Sequence, residues 1–132
     1  MKAMLIRRYG GPEVFEAGEL PAKTPGPGEI LIRVRGSSVN PVDAAIRAGA
    51  LRAFVRLRLP AALGVDVAGE VVELGAGVTR FKKTDRVFAF TRLQRAGGYG
   101  EFAVLPESFV GRVPSTLSWA EAGTVPGVGA TA

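Results

Sequence analysis

With 132 residues, 47% of them hydrophobic, the chain can bury one core and is too apolar for a disordered tail. It has no cysteine and no histidine, which excludes disulfides, thiolate chemistry and every Cys/His zinc site. The net charge of +5 suits an anionic partner such as nucleic acid, a membrane surface or a phosphorylated cofactor, but the basic residues are scattered.

The one local excess of charge, Arg47, Arg52, Arg56 and Arg58, reads as a solvated face. Aromatic residues make up only 8% and sit at core-like spacings, so neither a nucleic-acid nor a membrane partner is expected. Eighteen glycines and nine prolines favour a turn-rich β fold over a helical bundle. The start carries Glu13, Glu16 and Glu19 and no apolar run of signal length, and no stretch approaches a membrane span. A soluble, cytoplasmic protein is the expectation.

In chain order, Lys2 to Arg8 predicts a strand with Met4 and Ile6 on one face, followed by a turn at Tyr9-Gly10-Gly11-Pro12. Val14 to Leu20 predicts a second strand, and the proline- and glycine-rich stretch from Pro21 to Gly28 a loop. Glu29 to Arg35 alternates cleanly, with Ile30, Ile32 and Val34 on one face. Asn40 suits a helix N-cap, Pro41 the first helical position and Asp43 the first turn, so a short helix should run from Pro41 to about Ala48 and stop at Gly49. Residues 50 to 59 fit either a helical extension through Leu51, Phe54 and Val55 or a loop, and Pro60 ends the run. Strands follow near Val65–Leu74 and Asp85–Thr91, a loop over Gln94 to Gly98, a strand over Tyr99 to Leu105 with Phe102 and Val104 on one face, and a short one over Phe109 to Val113. Ser118 and Glu121 form a capping box for a helix over Trp119 to Thr124, which Pro126 and Gly127 break.

The stretch from Pro60 to Val87 organises the rest. Val65 and Val67 share one parity while Val72 and Leu74 share the other, so one extra residue is needed, and Gly69 is the expected place for that bulge. Valine runs interrupted by glycine at positions 64, 69, 75 and 77 then predict a small, strongly curved β-barrel.

The same residues, GVDVAGEVVELGAGVTRFKKTDRV, resemble the signature of the GroES-like (chaperonin-10-like) catalytic domain of the medium-chain dehydrogenase/reductase superfamily. MKAMLIRRYGGPEVFE, PGPGEILIRVRGSSVNPVDAAIR and GGYGEFAVLPES agree, and the branch is that of the zinc-free, zeta-crystallin-like quinone oxidoreductases. The resemblance implies a mainly β, distorted GroES-like barrel with a few short helices over residues 1–125. Residues 126–132 would begin the connection to a nucleotide-binding Rossmann domain, absent here and acting as an intramolecular partner. It implies an NADPH-dependent oxidoreductase passing hydride to a quinone or enone substrate, with little turnover expected of this chain alone. A lost interdomain surface would leave an apolar patch covered by self-association into a homo-oligomer. The alternative is a stand-alone barrel acting as an assembly or interaction module.

By the same resemblance, Asn40 and Asp43 stand at the mouth of the nicotinamide cleft, as catalytic candidates, with Asn40 also a cofactor contact. The Asn40 amide could hydrogen-bond a substrate or water oxygen beside the hydride-transfer position, and helix capping alone would also account for both residues. Zinc-dependent relatives carry cysteine in place of Asn40, and Gly-His-Glu where this chain has Gly64-Val65-Asp66, so no metal site is expected. Leu51 stands where several relatives have a tyrosine proton donor, and Thr84 where glycine is usual, which strains the turn if it needs a positive φ. Tyr99, Phe102, Phe88 and Phe90 read as barrel lining. Gly127 to Ala132 spells G-x-G-x-x-A, yet no strand leads into it and no long helix follows, so it is no dinucleotide fingerprint. Thr131 there is carried over as a second contact to the nicotinamide amide.

Overall fold

The computed structural model describes residues 1–91, 93 and 96–126. Its nine-residue strand Asp66–Leu74 pairs antiparallel on both sides, with Glu29–Gly36 and with Arg86–Phe90. In chain order the strands are β1 (Lys2–Ile6), β2 (Phe15–Glu19), β3 (Glu29–Gly36), β4 (Ala61–Ala62), β5 (Asp66–Leu74), β6 (Arg86–Phe90), β7 (Phe102–Pro106) and β8 (Val110–Arg112). The helices are α1 (Pro41–Ala48) and α2 (Trp119–Ala122). One sheet has the order β7-β3-β5-β6-β8 and the other β2-β1-β4. They meet at an antiparallel bridge between Ala3 and Gly100, flanked by hydrogen bonds of 3.0 Å from Met4 N–H to the Tyr99 carbonyl and from Glu101 N–H to the Lys2 carbonyl. The mainly β, curled half-barrel with short helices is the architecture the sequence predicts.

The parity change in β5 is real, but its position differs from the expected one. Leu31 faces Glu73 and Ile32 faces Val71, so Val72 is the extra residue on β5. Val71 is therefore buried at 1% exposure and Leu74 still packs inward, while Glu73 points to solvent. A second irregularity leaves Arg35 extra on β3, between Val34 opposite Gly69 and Gly36 opposite Ala68. Gly69 has another purpose: a Cβ there would overlap the Arg33 carbonyl oxygen of the neighbouring strand.

In two strands burial does not follow a single parity. Met4 is 45% exposed, and Ala3 and Leu5 face inward. On β7 the barrel core takes Ala103 and Leu105 beside Ile30 and Ile32, while the Arg33 guanidinium lies 5.2 Å over the Phe102 ring. Alternation fixed the period in both strands but not which face meets the core, because Leu5 and Ile6, like Val104 and Leu105, are consecutive and all buried.

A second cluster, with Ile6, Ile46, Val55, Leu63 and Val65, lies beneath α1. This helix has the predicted span, ending at Gly49 with φ 83°. Residues 49 to 54 form turns, not a helical extension, and Phe54 is 82% exposed. Helix α2 has the predicted capping box: Ser118 Oγ accepts Glu121 N–H at 3.1 Å and Glu121 Oε1 accepts Ser118 N–H at 3.0 Å. It ends at Ala122, earlier than expected, so Pro126 is not what stops it. Thr84 adopts φ 76°, the condition under which its side chain strains the turn.

Candidate functional site

The end of β3, the start of α1 and the start of β5 converge. Residues Ser37 to Asn40 link β3 to α1, and Asn40 precedes the helix in extended backbone with φ −123° and ψ 158°. Asp43, one turn into the helix, turns back: its Oδ2 accepts the Asn40 backbone N–H at 3.0 Å. Its Oδ1 accepts the Val65 backbone N–H at 3.0 Å, which ties α1 to the segment entering β5. Asp43 is 3% exposed and both its oxygens are engaged by backbone N–H groups, so it holds the first turn of α1 against the entry to β5.

Asn40 is half-buried and forms the centre. Its Nδ2 lies 2.9 Å from Asp66 Oδ2, 3.0 Å from Ser38 Oγ and 3.4 Å from Asp43 Oδ2. Ser38 Oγ also donates to Asp66 Oδ2. Asp66 is fully buried, and its Oδ1 has no hydrogen-bond partner among the described residues. The Tyr99 hydroxyl donates to the Ser38 carbonyl at 3.0 Å. Gly98 lets this loop close on the site, since a Cβ would overlap the Asp66 carbonyl oxygen and Ser37 Oγ.

Two carboxylates thus share one neutral amide. Burial pushes the Asp43 carboxyl above its ordinary range, helped by the nearby Asp66 charge and opposed by N–H groups of Asn40 and Val65. The Tyr99 phenol is pushed up to about 12, first by burial and then by Asp43. It stays protonated at neutral pH and is a reluctant proton donor.

The structure brings Asn40 and Asp43 together as expected; Thr131 lies outside the described residues. Ser38, Asp66 and Tyr99 join them without having been singled out as site residues. The signal for Asp66 was an acid inside the apolar run Gly64-Val65-Asp66-Val67, which a buried strand tolerates only with partners. Val65 is buried among Ile6, Ile46 and Leu63, and Leu51 packs against the same group. Phe88 and Phe90 pack half-buried against core clusters, in keeping with their reading as core; Phe102 instead lies under the exposed Arg33, away from the barrel core, and Tyr99 reaches the site by its hydroxyl. Arg52, Arg56 and Arg58 are exposed, while Arg47 is half-buried and donates to the Gly10 carbonyl at 3.2 Å. Among the described residues no cluster of three or more acidic, histidine or cysteine side chains could hold a metal ion, and no helix is long and apolar enough to cross a membrane. A cleft of about 440 Å³ between Pro21, Leu57, Arg58 and Ala62 is lined by none of Ser38, Asn40, Asp43 or Asp66.

Residues 26–115 match the family model described as the alcohol dehydrogenase GroES-like domain. The chain is 38% identical to a chloroplast envelope quinone oxidoreductase homolog of Arabidopsis thaliana, over 100% of this chain and 40% of that protein. The solved quinone oxidoreductase of Pseudomonas syringae pv. Tomato DC3000 superposes with a TM-score of 0.89 at 33% identity, covering 98% of this chain and 38% of that one. The Escherichia coli quinone oxidoreductase complexed with NADPH gives a TM-score of 0.82 at 28% identity, covering 93% of this chain and 36% of that one. The chain therefore spans about 40% of the length of the Arabidopsis relative.

Proposed function

The chain belongs to the alcohol dehydrogenase GroES-like domain family, among the quinone oxidoreductases of the medium-chain dehydrogenase/reductase superfamily, and from that premise we propose that it is the catalytic-domain part of an NADPH-dependent, zinc-independent quinone or enone reductase. The observation that carries this is the Asn40 amide, half-buried at the start of α1 and held by two buried carboxylates.

The donor set fits one end of such a cofactor. A neutral amide beside two buried acids suits an uncharged carboxamide and repels a phosphate. Asn40 would hold the nicotinamide end, with Thr131 as a second contact; the phosphates need a helix N-terminus and glycine loop of another domain. A bound dihydronicotinamide supplies the hydride. The chain's own residues position and shield: Asp43 and Asp66 hold Asn40, Val65 fills the place of a metal ligand with apolar bulk, and the exposed Val39 offers a wall that sheds water. Zinc independence rests on the absence of cysteine and histidine. An acceptor already electrophilic, a quinone or an enone, needs no Lewis acid.

By itself the chain should bind NADPH weakly, because micromolar affinity takes about 8 kcal/mol and a contact or two cannot supply it. The test joins this chain covalently to the nucleotide-binding half of the Pseudomonas syringae enzyme. The chimera should reduce 1,4-benzoquinone with NADPH and carry no stoichiometric zinc by elemental analysis. A folded chimera that binds NADPH and reduces neither a quinone nor an enone would overturn the proposal. A defined ring of the isolated chain in solution would instead favour an assembly module.

A further inference from the structure

The Asn40 side chain has two ends of opposite polarity, and the structure decides which is available. Its NH2 carries two protons and faces three acceptors: Asp66 Oδ2, Ser38 Oγ and Asp43 Oδ2. Turning the amide over would set its carbonyl oxygen against two carboxylates, with no proton to share. Asp66 makes the shortest of the three contacts, at 2.9 Å, and is fully buried, so it cannot turn to water as an alternative partner. Its Oδ2 also receives the Ser38 hydroxyl, which keeps Ser38 Oγ in place as the second acceptor. The NH2 is saturated, and Oδ1, which also caps the Asp43 backbone N–H, is the end that keeps a lone pair for a ligand.

We propose that Asp66 is a positioning residue that locks the Asn40 amide with its NH2 inward, so that the ligand group meeting Asn40 must be a hydrogen-bond donor. A primary carboxamide NH2 or a hydroxyl satisfies this; a quinone or ketone oxygen does not. This differs from an amide that hydrogen-bonds a substrate oxygen through its NH2. This inference rests on the proposal that Asn40 faces the nicotinamide, and it assigns Asn40 to the carboxamide of the cofactor and not to the carbonyl being reduced.

The chain has a single asparagine and a single glutamine, so the Asn40 NH2 signals can be assigned directly in a 1H–15N spectrum. In the 132-residue chain these protons should exchange with water about tenfold or more slowly than those of free asparagine in the same buffer. Asp66→Leu removes the acceptor at similar shape and should return the rate towards the free value. Ser38→Ala, at a half-buried position, removes one acceptor and should raise the rate partway; it serves if Asp66→Leu loses its dispersed spectrum. An unprotected wild-type NH2, or a folded Asp66→Leu chain with the wild-type rate, overturns the role of Asp66. For the ligand-facing end, nicotinamide and methyl nicotinate share a ring and differ in the donor. A larger shift of the Asn40 signals with nicotinamide is expected; an equal or larger shift with methyl nicotinate, or none from either, overturns it. None of these measurements needs turnover, so they fail independently of the chimera's reductase activity.

Discussion

Asp43 and Val65, 22 residues apart, are joined by one hydrogen bond of 3.0 Å between the Val65 backbone N–H and Asp43 Oδ1. Asp43 also accepts the Asn40 backbone N–H, so a single side chain fixes the first turn of α1 against the entry to β5. Asp43→Ala would leave two backbone donors without their partner in a buried setting. The loss should be about 2–4 kcal/mol, read by urea unfolding with an unchanged m-value. A change below ~0.5 kcal/mol would show that the helix is held by its apolar face alone.

The acids of this chain should titrate in an order set by their surroundings. Asp85 is held below its ordinary 3.8, first by the Lys82 backbone N–H at 3.0 Å and then by the Arg112 guanidinium at 2.9 Å. Asp43 is raised above 3.8 by burial. The signs are opposite: Asp85 contributes stability that is present above about 3.8 and lost as pH falls through its folded value, whereas the Asp43 contribution is full below about 3.8 and lost as pH rises through its folded value. Carboxyl 13C shifts across acid pH should show the Asp43 midpoint above that of Asp85. The reverse order would contradict the burial argument.

Tyr99 should ionise near 12, above the ordinary 10, because burial and the Asp43 charge both disfavour the phenolate. Its neutral form supports the fold below about pH 10, and that support is lost as pH rises through the folded value. An ultraviolet titration of Tyr9→Phe isolates it, since Tyr9 and Tyr99 are the two tyrosines. A midpoint at 10 in the folded chain would place the hydroxyl in water.

Thr84 is a β-branched residue at φ 76°, held there by its N–H on the Val71 carbonyl at 2.8 Å. Left-handed backbone costs an L-residue about 1–2 kcal/mol, and the extra unfolded-state freedom of glycine offsets about half of that. Thr84→Gly should therefore stabilise the chain by roughly 0.5–1 kcal/mol, seen as a rise in Tm. A lower Tm would mean that the threonine side chain contributes more than its backbone costs.

Gly69→Ala should act in the opposite sense. A methyl group there would overlap the Arg33 carbonyl oxygen, and strand β5 would have to separate from β3 at its middle. A loss above about 2 kcal/mol, or failure to fold, is expected from thermal unfolding. A folded variant of wild-type Tm would show that the two strands can part there without penalty.

Much of this fold was legible because it rests on local chemistry. Asn40, Pro41 and Gly49 mark the ends of α1, and Ser118 with Glu121 the start of α2. Strand faces were less legible where neighbours are both apolar: Met4 and Ile6 share a parity, yet Met4 is exposed and Ile6 buried, and the core takes Ala103 in place of Phe102. The parity change in β5 could be read from valines, but the glycine beside it was needed for interstrand clearance, and the bulge moved to Val72. At the site, Asn40 and Asp43 lie three residues apart; helix capping predicted them as neighbours, and the family resemblance made them site candidates. Asp66, Ser38 and Tyr99 reach them only through long-range packing, with Tyr99 arriving from 61 residues beyond Ser38. No local pattern encodes that convergence.

The glycine at position 98 has a consequence for anyone wishing to remodel this protein. Because the backbone of Gly64 to Asp66 and the Ser37 hydroxyl press against it, the floor of the site offers no room for a new side chain there. Diversity has to be introduced at the rim, at Val39, which is 83% exposed and adjoins Asn40 in sequence. A library randomised at that position samples new contacts on an unaltered frame; one built on the floor samples mainly collapse.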